Sequence, residues 1–363
     1  MTAKSKGRRA FLKGAAIGSV AAAATFPAPA IAADSFRWKM LTTWPKNFPG
    51  LGTGAQRIAD AITEMSDGRL TVKLYAAGEL VPAFEAFDAV REGTAQMTHD
   101  AAYYWVAKHK STAFFCTVPG GLTVQEHNAW VYYGGGQKLW DELYAGFGLR
   151  AFLAGGSGVQ MGGWFQKEIK SLDDIKGIKM RIPGFGAEVI NRMGGTAVNL
   201  PGGEIMPALQ SGVIDATEWV GPWNDLAFGF YKIAKYYYGP GFHEPSSALE
   251  CMVNLEAYDA LPKDLQAIVR HACAAENARM PSEFTAANSA AQTVLIEKHG
   301  VQIGHLPDDV IREAFRISAD VVAETAAADD LAKRIYESWS NFRAEAIARG
   351  PYAEQGYMNA RVL

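Results

Sequence analysis

The sequence predicts an α/β protein of two lobes with long helices towards its C-terminal end. Strand-like alternation and helix-like periodicity take turns from residue 36 to residue 93. The same alternation restarts from Gly155, and from Lys263 onward the chain becomes Ala-rich and charge-laced in long helical stretches. Its 363 residues, 49% hydrophobic and 20% charged, hold enough apolar material for two lobes and exclude a disordered chain.

Residues 1–32 carry Lys4, Lys6, Arg8, Arg9 and Lys13 and no acid, then an apolar run from Gly14 to Phe26, then Ala30-Ile31-Ala32 as a small-x-small cleavage site. This pattern reads as an export signal, and Arg8-Arg9 followed by Phe11-Leu12-Lys13 matches the twin-arginine form. An amphipathic surface helix is the alternative. The mature chain is expected to begin near Ala33 and to work in the periplasm. Losing those five positive charges, with no acid, takes the formal charge from −3 to −8, which argues against a nucleic-acid partner.

Phe36–Thr42 and Leu70–Tyr75 alternate as strands, and between them Leu51, Ala55, Ile58, Ala59, Ile62 and Met65 recur at helical spacing. A second helix is expected from Pro82 to Gly93, with Phe84, Phe87 and Val90 inward. In the second lobe a helical turn over 171–177 precedes a strand over 178–182. Then come a helix over 184–193, a strand over 196–200 and a helix over 203–211. Helices are expected over 263–278, 282–298, 308–327 and 331–349. Cys116, Cys251 and Cys273 make an odd count without metal-type spacing and read as buried free thiols. No run of 18 apolar residues follows residue 32, so the mature chain is not expected to span a membrane.

Common catalytic signatures are missing: there is no phosphate-binding Gly-x-x-x-x-Gly-Lys, no Gly-x-Ser-x-Gly and no His-Glu-x-x-His. The seven histidines are scattered and read as surface or satisfied core residues. Arg181, on the short strand ending in Pro183, has the rigid planar fork that holds a carboxylate by two parallel hydrogen bonds; a surface salt bridge is the alternative. Glu218-Trp219, at a strand end, can give carboxylate oxygens and a main-chain carbonyl to a cation beneath an indole wall, or be a core tryptophan beside a solvated acid. Gln160 adds a neutral oxygen and Glu244 a second acid, both of the kind hard cations take. Tyr103 and Tyr104 offer phenols, although an aromatic run also serves plain packing.

Five strings carry a resemblance: Ala76–Pro82 (AAGELVP), Ala102–Trp105 (AYYW), Gly158–Phe165 (GVQMGGWF), Gly177–Arg181 (GIKMR) and Ile214–Pro222 (IDATEWVGP). Over nearly the whole mature chain they are similar to the solute-binding proteins of tripartite ATP-independent periplasmic (TRAP) transporters, the DctP-like family. They are most similar to the branch that binds 2-oxo and 2-hydroxy monocarboxylates such as pyruvate and lactate.

The resemblance implies a periplasmic binding protein fold with crossing strands, divided as 33–157 plus about 245–285, 158–244 plus about 286–330, and a C-terminal helix and tail from about 331 to 363 that forms a homodimer. It implies a receptor without catalysis, delivering its ligand to a membrane permease. Arg181 clamps the carboxylate. Gln160, Glu218, the Trp219 carbonyl and Glu244 surround a calcium or sodium ion that also touches the ligand, and Tyr103 and Tyr104 line the pocket from the first lobe. The sequence departs from the branch at Phe242-His243, where a more aromatic pair is usual. Two rivals follow: a periplasmic metal-assisted enzyme acting on an oxo acid, and the same receptor taking a dicarboxylate or aromatic acid.

Overall fold

Strands β1 (Phe36–Thr42) and β2 (Leu70–Tyr75) pair in parallel, with Phe36 beside Leu70 and Leu41 beside Tyr75. The Leu51–Met65 helix between them buries Leu51, Ala55, Ile58, Ala59 and Ile62 of the stripe its periodicity predicts, while Met65 at its last turn is exposed. The computed structural model describes residues 35–363, so the export signal read in residues 1–32 lies outside the described residues.

β3 (Met97–Asp100) and β4 (Leu149–Gly156) follow in the first lobe. The second lobe adds β5 (Gly163–Phe165), β6 (Lys179–Arg181), β7 (Thr196–Val198), β8 (Ala216–Thr217) and β9 (Tyr236–Tyr238). β10 (Ala248–Asn254) then returns to the first sheet, and β11 (Gln302–Gly304) closes the edge of the second. The first sheet has the order β2-β1-β3-β10-β4, with β10 antiparallel to both neighbours; the second has the order β11-β9-β5-β8-β6-β7. Two sheets built from interleaved stretches of chain make the two-lobed α/β architecture that the alternation predicts.

The segments that cross between the lobes run side by side. The Ser157 N–H donates to the Ser247 carbonyl (3.3 Å), Gln160 N–H to Glu244 (3.0 Å) and Gly241 N–H to Gln160 (2.7 Å). At the start of the crossing Gly155 has φ +146, and a Cβ there would lie 2.7 Å from the Met280 sulfur, so glycine is the residue that fits.

A third crossing is helical and corrects the sequence reading. Instead of two helices parted near Pro281, one helix runs from Lys263 to His299 with Pro281 inside it. Leu265, Val269, Ala272 and Cys273 are buried in the apolar cluster behind the first sheet. Beyond the proline, Phe284 packs edge-on against Trp223 (5.3 Å) and Asn288 accepts from the Trp223 N–H (3.0 Å) in the second lobe. Packing on both sides of Pro281 outweighs the one helical hydrogen bond that proline removes.

The Asp330–Arg349 helix packs on its own chain, with Trp339 against Phe114 (5.4 Å) and Ser338 accepting from the Trp130 indole (3.1 Å). Beyond it Tyr352, Tyr357 and Met358 are exposed. Cys116, Cys251 and Cys273 are buried and free, as read. Among the described residues no helix is long and apolar enough to cross a membrane.

Candidate functional site

Strand register brings the first two site residues together. β6 and β8 are parallel with Arg181 beside Thr217, and the Glu218 N–H donates to the Arg181 carbonyl (3.1 Å), so Arg181 and Glu218 leave adjacent strand ends. Alternation along β6 puts Arg181 on the side of exposed Lys179, yet Arg181 is 0% exposed. It lies where the strand ends, roofed by Trp219 with the guanidinium carbon 5.1 Å from the ring centroid. Gly202 makes room for that indole, since a Cβ there would meet its ring at 2.6 Å.

Arg181 spends most of its donors on the protein. Nε donates to the Leu200 carbonyl (3.0 Å), while Nη1 donates to the Glu218 carbonyl (3.3 Å) and to Glu218 Oε1; Nη2 is buried without a protein partner. The surface salt bridge considered from the sequence is therefore replaced by a buried pair, and one face of the fork remains for an incoming anion.

The crossing segments supply the rest. Gln160 is buried, with its amide nitrogen on Ser157 Oγ (3.1 Å) and its Oε1 free. Glu244 is buried with both carboxylate oxygens free, and so is Glu218 Oε2. His243, read from the sequence as a surface or satisfied core residue, is neither. It is buried with no hydrogen-bond partner on its ring, Nε2 lying 3.4 Å from Glu218 Oε2 and 3.9 Å from Glu244 Oε1. Ligand atoms of Glu218, His243 and Glu244 all fall within 4.8 Å of one another. Nothing in the sequence spacing of residues 218 and 243 signals this; β9 and the turn after it bring them together.

Burial sets the electrostatics. It pushes Glu218 up to about 7 against the opposing pull of Arg181, and Glu244 up to about 7 with help from Glu218. Burial holds His243 down at about 4, so the ring is neutral near pH 7. Such orphaned acceptors are costly in a protein interior unless something positive meets them. Three carboxylate oxygens, an amide oxygen and a neutral imidazole suit a cation, and the oxygens suit a hard one. No proton donor among the described residues bonds the Trp219 carbonyl, which leaves it available as a further oxygen.

From the first lobe Tyr103 and Tyr104 close the site on the short turn Ala102–Trp105. Burial raises both phenols well above the ordinary tyrosine range, Tyr104 despite the nearby Arg181 charge, so both remain proton donors. Gly184, with φ +62, lets the second lobe approach Tyr103 closely. With Gln160 and Trp219 the tyrosines line a small cavity of about 10 Å³, walled also by Trp44, Leu51, Val220 and Leu249. In this closed arrangement it has room for about one water. All seven sequence-predicted residues border this junction of the lobes; Trp44, Ser157, His243 and Ser247 were not foreseen. Across it Trp44 meets Trp219 (6.1 Å), Phe48 meets Phe228 (4.4 Å), and the Asn224 amide donates to the Pro49 carbonyl (3.0 Å).

Comparison with known proteins bears on the family and the fold. Residues 41–329 match the family described as bacterial extracellular solute-binding protein, family 7. The chain is 43% identical over 323 residues, 89% of this chain and 88% of the relative, to a monocarboxylate 2-oxoacid-binding periplasmic protein of Nostoc sp.. It superposes with TM-score 0.86 and 42% identity, covering 90% of this chain and 99% of the other, on a TRAP periplasmic solute-binding protein of Pseudoalteromonas atlantica with bound sodium and pyruvate. A TRAP transporter solute-binding protein of Bordetella bronchiseptica superposes with TM-score 0.88 at 35% identity, covering 90% and 97% of the two chains. That structure is a mixed-occupancy dimer with copurified calcium and picolinate.

Proposed function

This chain belongs to family 7 of the bacterial extracellular solute-binding proteins, the TRAP transporter receptors, and we propose that it captures a small 2-oxo or 2-hydroxy monocarboxylate, such as pyruvate or lactate, through a bound calcium or sodium ion. The observation that carries this reading is a buried group of unpartnered polar atoms, Arg181 Nη2, Glu218 Oε2 and both Glu244 oxygens, gathered around the Arg181–Glu218 pair beneath Trp219, which with Gln160 and its free Oε1 lines a small cavity between the lobes. In this reading Gln160, Glu218, Glu244 and the Trp219 carbonyl hold the ion, and Arg181 binds the ligand carboxylate. Tyr103 and Tyr104 donate from the first lobe.

Charge balance favours a monocarboxylate. Arg181 against Glu218 and Glu244 leaves one net negative charge. A divalent ion and a monoanion then bring the site to neutrality, whereas sodium requires one acid to be protonated or leaves a negative charge. A dicarboxylate would add a second negative charge, and the cavity lining holds no further cation for it. Pyruvate and picolinate, found in the two relatives, share a second donor atom beside the carboxylate that lets a metal be chelated. Picolinate keeps the aromatic acid open as a second ligand class.

The family consists of transport receptors, not enzymes. Export by the twin-arginine route, delivery to a permease and a homodimer through residues 331–363 complete the proposal. Exposure of Tyr352, Tyr357 and Met358 and the dimer of the Bordetella relative support the last. The lobes of the proposal, 33–157 with about 245–285 and 158–244 with about 286–330, would move about the paired crossing segments and Pro281.

Calorimetric titration with pyruvate, lactate, propionate and succinate tests the reading. Pyruvate and lactate are expected to bind, while propionate, which lacks the second oxygen, and succinate are expected to bind at least about tenfold more weakly. Propionate binding as tightly as pyruvate would overturn metal chelation, and turnover of pyruvate or lactate by the purified protein would overturn the receptor.

A further inference from the structure

The loop that carries Glu218 and Trp219 is pinned by a carboxylate that does not itself line the cavity. Asp225, in the first turn of the Pro222–Phe228 helix, is buried, and all four of its acceptor positions are filled. Oδ1 accepts from the backbone N–H groups of Val220 and Gly221, each at 3.2 Å. Oδ2 accepts from the Trp164 indole (2.9 Å) and the Tyr237 hydroxyl (2.7 Å). Trp164 lies on β5 and Tyr237 on the adjacent β9, their rings stacked at 3.9 Å, so the carboxylate is fixed to the sheet on one side and grips the loop on the other.

The gripped Val220 N–H belongs to the same peptide group as the Trp219 carbonyl. In a trans peptide the N–H and C=O point in opposite directions. Holding that N–H on Asp225 therefore turns the Trp219 oxygen away from Asp225 and from the Trp164 and Tyr237 groups that hold it. The Met161 N–H, donating to the Val220 carbonyl at 3.1 Å, fixes the next peptide in the same way. We infer that Asp225 is a positioning residue: it aims the Trp219 carbonyl at the bound cation by anchoring the Val220 and Gly221 amides to β5 and β9.

The inference rests on the metal-bridged reading and goes beyond it, because it assigns the geometry of one ligand to a residue outside the site. Asn in place of Asp225 keeps the size but sets an NH2 group against N–H or O–H donors on one side, which frees the peptide to turn. Outer-shell partners of this kind commonly change metal affinity about 10- to 100-fold.

The test uses terbium as a stand-in for calcium in the whole mature protein, comparing wild type, Asp225→Asn, Tyr237→Phe and Glu218→Gln. Luminescence decay in H2O and D2O counts the waters on the ion, and chelator competition gives calcium affinity. In Asp225→Asn the water count is expected to rise by about one as the carbonyl leaves the shell, with calcium affinity falling about tenfold or more. Tyr237→Phe, which keeps the ring stack while removing one anchor, is expected to shift affinity in the same direction by a smaller factor. A folded Asp225→Asn with wild-type water count and calcium affinity overturns the inference, whatever its melting temperature. Should Asp225→Asn not fold, unchanged affinity in Tyr237→Phe overturns it instead. Glu218→Gln separates the two readings: if that change leaves affinity intact, the metal-bridged site itself is wrong.

Discussion

Arg181→Lys keeps the charge at the centre of the site and removes the fork. The guanidinium serves three directions at once: Nε on Leu200, Nη1 on Glu218, and Nη2 buried without a protein partner. An ammonium on a flexible stem, drawn to Glu218 Oε1 by charge, cannot also offer a second fixed donor to a ligand. The ligand carboxylate then loses one charge-assisted hydrogen bond in a buried site, about 1.5–3 kcal/mol. That corresponds to a rise in pyruvate Kd of roughly 10- to 150-fold. Calorimetry in calcium buffer reads it, with circular dichroism to show that the variant is folded. A folded variant whose Kd for pyruvate lies within about threefold of wild type would refute the clamp, since the shift would then be below one hydrogen bond.

Further outcomes follow from the packing around the site. Phe48 reaches across the lobes to Phe228 and Trp219, so Phe48→Ala is expected to weaken ligand by the worth of an aromatic pair, about 0.5–1.5 kcal/mol. An unaltered Kd would place those contacts outside closure. Within the first lobe, Asp100 and Glu250 face each other across β3 and β10, both bonded by the Trp105 indole, with Glu250 also bonded by Tyr144. Burial raises Asp100 to about 6 and raises Glu250 well above the ordinary range, the Asp100 charge adding to the latter. Both acids thus bind protons more tightly folded than unfolded, so stability falls as pH rises from the ordinary carboxylate range through about 6. Glu250→Gln is expected to flatten that fall in melting temperature; an equally steep fall in the variant would contradict it. Removing residues 350–363 is expected to shift a dimer to monomer in light scattering while leaving the fold intact, and an unchanged mass would exclude that segment from the interface.

Much of the fold was legible because periodicity records which face is buried. The Leu51–Met65 helix and β1, β2 and β6 lie where their apolar spacing predicts them. The long helix was misread at Pro281, where the local rule against an interior proline lost to packing on either side of it. β3, β4 and β10 carry no alternation to read, since nearly every residue of these strands is buried on both faces. The site was legible as far as residue type and motif reach: Arg181 and the Glu218-Trp219 pair stand at strand ends where such side chains have few structural uses. His243 was not, because its meaning depends on a fold that sets two distant acids beside it. Asp225 hid for the same reason, its four donors coming from three separate segments.

The proposed binding mode depends most on a cation joining the ligand to Gln160, Glu218, Trp219 and Glu244. Titrating pyruvate into protein stripped of metal, then into the same protein with calcium or sodium restored, tests this directly. The heat of binding is predicted to vanish in the stripped protein and to return with the ion; an equal Kd in both would contradict it.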